Sequence, residues 1–297
     1  MKDEGTRHND PSAFSLNTLE ITMIPQRILG KTGVSVGCIG LGGEGVLRTF
    51  GREREAYNVI HRALELGINY FESARAYAGS EEYYGQALGE KRKEIFLTSK
   101  SHDRTASGAR EHLTTTLGNM KTDYLDLWQV HDVRTEQDLD EIFGPGGAIE
   151  TFRWAREEGL VRYVGVTGHQ DPEIIVKAFD MFDFDTVLMP VNPAEPSYKS
   201  FIDSVLPEAL SRGMGIIGMK VLCRGLGLQL PGYTTVEPWI RYALSHDLST
   251  IVIGCDTVKQ VEENVAAAIA ATSMTEEERS MMGKAAARYS RDLMYYK

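Results

Sequence analysis

Short runs of apolar residues alternate with amphipathic stretches along the chain from Gln26 onward. The short runs are rich in Val, Ile and Leu, as is typical of buried β-strands, and the longer stretches place apolar residues on one helical face. This alternation predicts parallel strands that are each followed by a helix. The predicted strands are Val34–Leu41, Ile68–Phe71, Ile95–Ser99, Tyr124–Val130, Val161–Val166, Asp185–Met189, Gly215–Met219 and Ser249–Ile253.

The helices that follow these strands are predicted from their apolar periodicity. One of them begins at Asp171–Pro172, where an N-cap aspartate precedes a proline in the first turn. The segment after His131, with Asp138, Asp140 and Glu141, is predicted to be a long solvated loop. The other helices are predicted at Arg54–Leu66, Glu81–Leu88, Thr105–Asn119, Ala148–Glu158, Ser204–Ser211, Val236–His246, Val258–Ala270 and Thr275–Tyr289.

Eight strand–helix units are the number that closes a TIM barrel, and no linker rich in Pro, Gly or Ser divides the chain. We therefore expect a single α/β domain, a (β/α)8 barrel over residues 23–297, with an extra helix at its C-terminal end. Residues 1–22 are polar and lack periodicity, which predicts a poorly ordered leader. An open, doubly wound sheet shows the same alternation, so the pattern alone leaves it as an alternative.

The formal net charge of the 297-residue chain is −10, which argues against nucleic acid or an anionic membrane as a partner, because phosphates would be repelled. No apolar run reaches the ~18 residues of a membrane helix, and the first residues do not resemble a secretory signal. Cys38, Cys223 and Cys255 lack the spacing of a disulfide framework or a zinc site. We expect a cytoplasmic protein that holds no metal.

Four chemically active side chains follow three neighbouring strands at the points where the strands end. Glu72 and Tyr77 follow the second strand, Lys100 ends the third and His131 ends the fourth. A single such residue is usually an ordinary solvated loop residue. Because the carboxyl ends of barrel strands form the active face, four of them together predict a catalytic site.

Several segments resemble landmarks of the aldo-keto reductase family. Gly67–Tyr77, GINYFESARAY, is similar to the family signature G-[IV]-N-x-[FI]-D-T-A-x-x-Y. The resemblance continues in order and at family spacing from Gln26 to Ala270, and it implies an N-terminal hairpin ahead of the barrel. The other matching segments are Arg27–Gly33, Gly40–Gly42, Thr98–Lys100, Asp123–Leu127 with His131, Val164–Thr167, Gln260 and Glu263–Asn264.

The resemblance implies transfer of hydride between a nicotinamide cofactor and an aldehyde, ketone or alcohol. In that reading Tyr77 donates the proton to the developing alkoxide, and Lys100 lowers the pKa of Tyr77. Glu72 holds Lys100, and His131 orients the carbonyl oxygen. The family has Asp at the position of Glu72 and Thr at that of Ser73, so the carboxylate here is one methylene longer. We expect a rebuilt but working ion pair, with an altered activity as the alternative.

The cofactor-binding positions depart further from the family. Gly168 replaces an Asn, Leu188 a Gln, and Met219 the Tyr that stacks on the nicotinamide; a thioether can still pack on an aromatic ring. Lys220 and Arg224 are predicted to hold the pyrophosphate. The predicted cofactor-binding residues are Thr167, Asn192, Met219, Lys220, Arg224, Gly254, Cys255, Asp256, Gln260, Glu263 and Asn264.

The preference between the two nicotinamide cofactors depends on the chain after the last strand. Strong binders of the 2′-phosphate in this family place Lys or Arg there, whereas this chain offers Asp256 and Lys259. NADP(H) is favoured over NAD(H), which remains an alternative. Asp132 follows His131 where many relatives have Trp, which favours a small, polar substrate. The oligomeric state cannot be predicted.

Three alternatives compete with this interpretation. Gly40–Gly45 fits the dinucleotide motif G-x-G-x-x-G, but Val46 to Gly51 intervene before the helix, so the motif is a weak indication of a Rossmann fold. The altered cofactor positions would also suit a nucleotide-binding barrel that senses redox state with little turnover. A third possibility is a net non-redox reaction on a sugar, in which the bound cofactor is reduced only transiently.

Overall fold

The computed structural model describes residues 23–297, in which eight parallel strands form a closed barrel, so the open sheet and the Rossmann fold are excluded. The predicted leader, residues 1–22, lies outside the described residues. The barrel strands are β3 (Ile39–Gly45), β4 (Tyr70–Glu72), β5 (Phe96–Ser101), β6 (Leu125–Val130), β7 (Val161–Thr167), β8 (Thr186–Pro190), β9 (Gly215–Met219) and β10 (Thr250–Cys255). Strand β10 pairs with β3 and closes the barrel.

An antiparallel hairpin precedes the barrel, as the resemblance implied. Its strands are β1 (Gln26–Ile28) and β2 (Ser35–Gly37). Leu29 and Val36 of the hairpin pack with Tyr70 and Phe96, the first residues of β4 and β5, inside the barrel. The hairpin therefore closes the amino-terminal end of the barrel and leaves the carboxyl-terminal end for the site.

Helices cover the outside of the barrel and bury an apolar face against it, which explains why both faces of the strands are apolar. Among residues 23–297, none of the helices is long and apolar enough to cross a membrane. The helices are α1 (Glu53–Glu65), α2 (Ser80–Ala87), α3 (Ala106–Met120), α4 (Glu136–Phe143), α5 (Ala148–Glu157), α6 (Pro172–Met181), α7 (Phe201–Ser211), α8 (Val236–Leu244), α9 (Val258–Ala270), α10 (Glu276–Ala287) and α11 (Ser290–Leu293).

The prediction of a long solvated loop after His131 was wrong, because this segment contains helix α4. Thr135 caps this helix and forms a reciprocal capping box with Asp138, while Leu139 and Ile142 are buried. Asp138 also forms an ion pair with Arg104, so it is not a freely solvated residue. Only one apolar face of two turns marks α4 in the sequence, and its acidic residues conceal it.

The first predicted strand, Val34–Leu41, is in fact two strands of different sheets. The chain changes direction at Cys38, whose backbone N–H donates to Pro25 of the hairpin while its carbonyl accepts from Ile251 of β10. The apolar run is continuous because both strands are buried, so periodicity does not mark the boundary. Cys38, Cys223 and Cys255 are free and buried.

Candidate active site

Glu72 and Lys100 meet at the carboxyl-terminal end of the barrel because they lie near the ends of the paired strands β4 and β5. They form an ion pair whose side chains are 5% and 0% exposed. The Lys100 ammonium also donates to the Ser73 carbonyl at 2.8 Å. Burial lowers the pKa of Lys100, and the Glu72 carboxylate in contact favours its charged form. The glutamate thus reaches the lysine despite its extra methylene.

Tyr77 lies in the loop between β4 and α2, and two cations lie over its ring, one from strand β5 and one from the loop after β3. The Lys100 ammonium is 4.8 Å and the Arg48 guanidinium carbon 4.9 Å from the ring centroid. Burial, helped by the charge of Glu44, raises the pKa of Tyr77. This direction is opposite to the one expected from Lys100, because the cost of burying the charged phenolate outweighs the attraction of the cations around it. The phenol is consequently protonated at neutral pH.

His131 follows β6 directly and meets Tyr77 edge to face, with ring centroids 5.9 Å apart and an interplanar angle of 85°. Burial lowers the pKa of His131 well below its usual value, so the imidazole is neutral and has one N–H to donate. Arg104 fixes its position by donating to the carbonyls of His131 and Asp132 at 2.8 and 2.7 Å. Sequence reasoning missed Arg104, because its partners are two backbone carbonyls and the Asp138 side chain, all about 30 residues away along the chain.

A cavity of about 480 Å³ extends from Glu72 and Tyr77 toward the end of β10. It is lined by Glu72 and Tyr77 at one end and by Asp256 and Asn264 at the other. Most of the predicted cofactor residues therefore share one space. The remaining predicted residues on its wall are Met219, Lys220, Arg224, Gly254, Gln260 and Glu263.

The residues on this wall fit a long anionic dinucleotide. Lys220 and Arg224 place two cations beside the cavity, and Thr257 caps the N-terminus of α9 at its far end. The Oδ1 atom of Asn264 is buried and has no hydrogen-bond partner among the described residues, so it can accept from a ligand. A Cβ atom at Gly254 would come within 2.7 Å of the Glu44 backbone, which requires glycine there.

Three predicted cofactor residues lie elsewhere. Asn192 is fully buried and lines neither this cavity nor its neighbour; its amide donates to Tyr296 at 2.7 Å. Cys255 is buried behind Asn264, which donates to its sulfur. Thr167 accepts from the Asp132 N–H at 2.8 Å and lines the adjoining cavity.

Gly168, one of the departures from the family pattern, has a local packing cause. A Cβ atom there would come within 2.5 Å of the Ile175 side chain on α6. A larger residue at this position would require the Ile175 side chain to move and would also crowd the Val133 carbonyl, 3.0 Å from the same Cβ. The packing around Gly168 therefore disfavours the residue that commonly holds a carboxamide in the family.

The adjoining cavity, about 730 Å³, contacts Tyr77, Lys100 and His131. Most of its wall is polar, with charged groups that are paired with one another. Asp132 pairs with Arg134 and lies 3.1 Å from the Nε2 atom of His169. Sequence reasoning missed most of this wall, because its members come from separate loops. They include His102, Arg134, His169, Gln170, Tyr295, Tyr296 and Lys297.

Comparison with known proteins agrees with this geometry. A sequence model described as the Aldo/keto reductase family matches residues 34–230. The L-galactose dehydrogenase of Arabidopsis thaliana is 27% identical over 83% of this chain and 89% of its own length. An uncharacterized oxidoreductase of Bacillus subtilis is 24% identical over 82% of this chain and 89% of its own.

Solved structures share the fold. An aldo-keto reductase from Bacillus halodurans in its holo form has a TM-score of 0.74 at 24% identity, covering 88% of this chain and 96% of its own. A Klebsiella pneumoniae aldo-keto reductase solved with NADPH has a TM-score of 0.72 at 19% identity, covering 88% and 95%. The comparisons give no support to a regulatory barrel with little turnover. The chain belongs to the aldo/keto reductase family and is an NAD(P)H-dependent oxidoreductase that acts on carbonyl substrates.

Proposed function

We propose that this protein reduces the carbonyl group of a small polar molecule, or oxidises the corresponding alcohol, with NADP(H) preferred to NAD(H). One observation carries the proposal: Tyr77, His131 and the Lys100–Glu72 pair lie where the 480 Å³ cavity meets the adjoining polar cavity. A proton donor, a neutral hydrogen-bond donor and a buried charge pair are the groups that carbonyl reduction requires.

Tyr77 is the proton donor of the proposed reaction. When bound, the nicotinamide exchanges hydride with the carbon atom of the carbonyl or alcohol. In reduction the Tyr77 hydroxyl gives its proton to the substrate oxygen, and its raised pKa keeps it in the donating form at neutral pH. His131, neutral because its pKa is lowered, donates a hydrogen bond to the same oxygen and orients it.

Lys100 and Glu72 act on the phenolate that Tyr77 becomes after giving its proton. The ammonium favours this phenolate, and the Glu72 carboxylate keeps the ammonium charged and in position. In the reverse direction the phenolate takes the proton of the alcohol, so the pair assists oxidation more than reduction. Burial of both partners strengthens their mutual attraction relative to a solvated pair.

Lys220 and Arg224 would hold the pyrophosphate, with Met219 against the nicotinamide and Gln260, Glu263 and Asn264 around the adenosine. The NADP(H) preference is supported by the NADPH complex of the Klebsiella pneumoniae structure. It is also supported by Lys259, which lies 3.4 Å from Glu263 and whose side chain is 81% exposed, so that it could turn to a 2′-phosphate at the adenosine end. The cofactor contacts predicted for Asn192, Cys255 and Thr167, which do not line this cavity, remain predictions.

The polar wall of the adjoining cavity favours a substrate with several hydroxyl groups. Asp132, Arg134 and His169 offer hydrogen-bond donors and acceptors in the same cavity as Tyr77, Lys100 and His131. The similarity to an enzyme named L-galactose dehydrogenase supports a sugar-like substrate. The three free, buried cysteines suit a reducing compartment such as the cytoplasm.

A panel of aldoses, ketoses, sugar alcohols and apolar aldehydes tests this function, with the change in NADPH or NADH absorbance as the readout. We expect turnover with polyhydroxylated compounds and a higher kcat/KM with NADP(H) than with NAD(H). Product analysis would detect a net non-redox conversion of a sugar. Tight NADPH binding without turnover on any compound would favour the regulatory alternative.

A further inference from the structure

Three cations converge on a single carboxylate on the wall of the 480 Å³ cavity. One oxygen of Glu44, Oε1, lies 2.9 Å from Arg48, 3.3 Å from Arg224 and 3.6 Å from Lys220. Glu44 belongs to β3, whereas Lys220 and Arg224 belong to the loop after β9. The carboxylate therefore bridges loops from two different strands across the cavity. All four side chains line that cavity.

The charges of this cluster do not balance. Three cations against one carboxylate leave two uncompensated positive charges beside a cavity where Lys220 is only 13% exposed. The diphosphate bridge of a dinucleotide, esterified at both ends, carries two negative charges. The excess positive charge of the cluster therefore equals the negative charge of the diphosphate that links the two halves of a dinucleotide. One of the chain's own carboxylates, Glu44, already contacts these cations.

The backbone supports a site built around these cations. Lys220 and Arg224 have φ angles of +58° and +55°, in the left-handed region that non-glycine residues seldom adopt. Such conformations cost free energy and persist where the surrounding contacts enforce them. Here the enforced turn directs both side chains at Glu44.

We propose that Glu44 is an internal counter-ion of the cofactor's phosphate site. It keeps Lys220 and Arg224 in place in the cofactor-free enzyme and competes with the cofactor phosphates for the same cations. The inference rests on the proposed function, which assigns the pyrophosphate to Lys220 and Arg224. Glu44 acts on the cofactor through these two residues, so it is a positioning residue that limits affinity for anions.

Two effects of opposite sign follow from this role. Without the carboxylate, the three cations repel one another, so the cofactor-free protein loses stability. The same loss removes the competitor of the phosphates, so anionic ligands bind more tightly. If the carboxylate only oriented the cations, its removal would instead lower both the stability of the cofactor-free protein and its affinity for anionic ligands.

Glu44→Gln in the full chain, stripped of cofactor, separates these possibilities. We expect a lower Tm without ligand and about tenfold tighter binding of NADPH and of ADP by isothermal titration calorimetry. The affinity should also fall more steeply with salt, because one more uncompensated cation faces the ligand. Weaker or unchanged binding of both ligands would overturn the inference.

Glu262→Gln is the matched control, because Glu262 pairs with Arg62 on the outer surface and does not line the cavity. It should leave NADPH and ADP binding unchanged. If Glu44→Gln does not fold, Glu44→Asp carries the test, since a shorter carboxylate withdraws from the cations and should tighten binding by a smaller factor. Weaker or unchanged binding by a folded Glu44→Asp would overturn the inference equally.

Lys220→Ala tests the proposed cofactor position separately from the role of Glu44. If this variant binds NADPH as tightly as the wild type, the pyrophosphate does not lie on Lys220 and the proposed cofactor position itself fails. If Lys220→Ala weakens binding but Glu44→Gln does not tighten it, the cofactor position stands and only the role of Glu44 is overturned.

Discussion

The two lysines of the active site, the buried Lys100 and the partly buried Lys220, have contrasting electrostatic partners. Lys100 is fully buried and has a carboxylate of its own, Glu72, so the pair is neutral. Lys220 shares the carboxylate of Glu44 with two arginines, so its surroundings keep excess positive charge. The charge of Lys100 is one that the protein must hold fixed during the reaction. The charge of Lys220 is left for an anionic ligand to neutralise.

The same contrast appears in the backbone. Lys100 lies inside strand β5, whose hydrogen bonds to β4 and β6 fix it. Lys220 and Arg224 lie in a loop with left-handed residues. A regular strand suits a group whose distance to the reacting atoms must not change, whereas a loop can adjust its side chains as a ligand enters.

The largest expected effect is on the catalytic side of this comparison. Tyr77→Phe removes the proton donor while leaving the ring, and we expect turnover to fall by roughly 10²-fold or more. NADPH binding should be unchanged, because the hydroxyl is not part of the phosphate site. Steady-state kinetics and calorimetry on the same preparation measure both. Near-normal turnover would remove Tyr77 from the mechanism.

A smaller effect is expected on the phosphate side. Lys220→Ala should weaken NADPH and NADH alike, by about 1–3 kcal/mol, if it makes a charged hydrogen bond to the pyrophosphate. Lys259→Ala is the companion variant, since Lys259 is 81% exposed and a 2′-phosphate contact there would weaken NADPH alone. Loss of NADPH binding alone in Lys220→Ala would show that Lys220 contacts the 2′-phosphate instead.

The two sides also differed in how far the sequence predicted them. Glu72, Lys100 and His131 were predictable because a strand end fixes where each side chain lies, and strands follow from apolar runs. Glu44 was not, because it lies in a glycine-rich run that resembles a dinucleotide motif. Its partner Arg224 is 180 residues away along the chain, a separation that no local pattern encodes.

The C-terminal residues also make contacts with residues that are distant in the sequence. Tyr296 donates to Glu195 at 2.7 Å and accepts from Asn192, so the amide expected to face the cofactor is occupied. Lys297 pairs with the same glutamate, and both side chains are almost fully buried. From the sequence, a short segment after the last helix cannot be distinguished from a solvated tail until the loops that contact it are known.

The smallest expected effect tests whether the neutral Lys100–Glu72 pair matters to Tyr77. Burial, with the nearby charges of Lys220 and Arg48, lowers the pKa of Lys100, so removing its carboxylate in Glu72→Gln should lower that pKa further and leave less ammonium at pH 7. The phenolate of Tyr77 then loses stabilisation, and the pKa of Tyr77, already raised by burial, should rise again. Oxidation requires the phenolate as base, so its kcat/KM at pH 7 should fall about tenfold for each unit of that rise. Reduction uses the protonated form and should change little.

The pH–rate profile of kcat/KM in the oxidation direction decides this prediction. In the wild type the rate should rise with pH as Tyr77 loses its proton, and in Glu72→Gln the rise should shift to higher pH. Glu72→Asp keeps the charge and should retain the wild-type profile wherever the shorter side chain still reaches Lys100. Thermal unfolding of the three proteins separates this effect from a loss of folded enzyme. An unmoved profile in a folded Glu72→Gln would mean that Lys100 acts on Tyr77 without its carboxylate, so that the catalytic group is Tyr77, Lys100 and His131 alone.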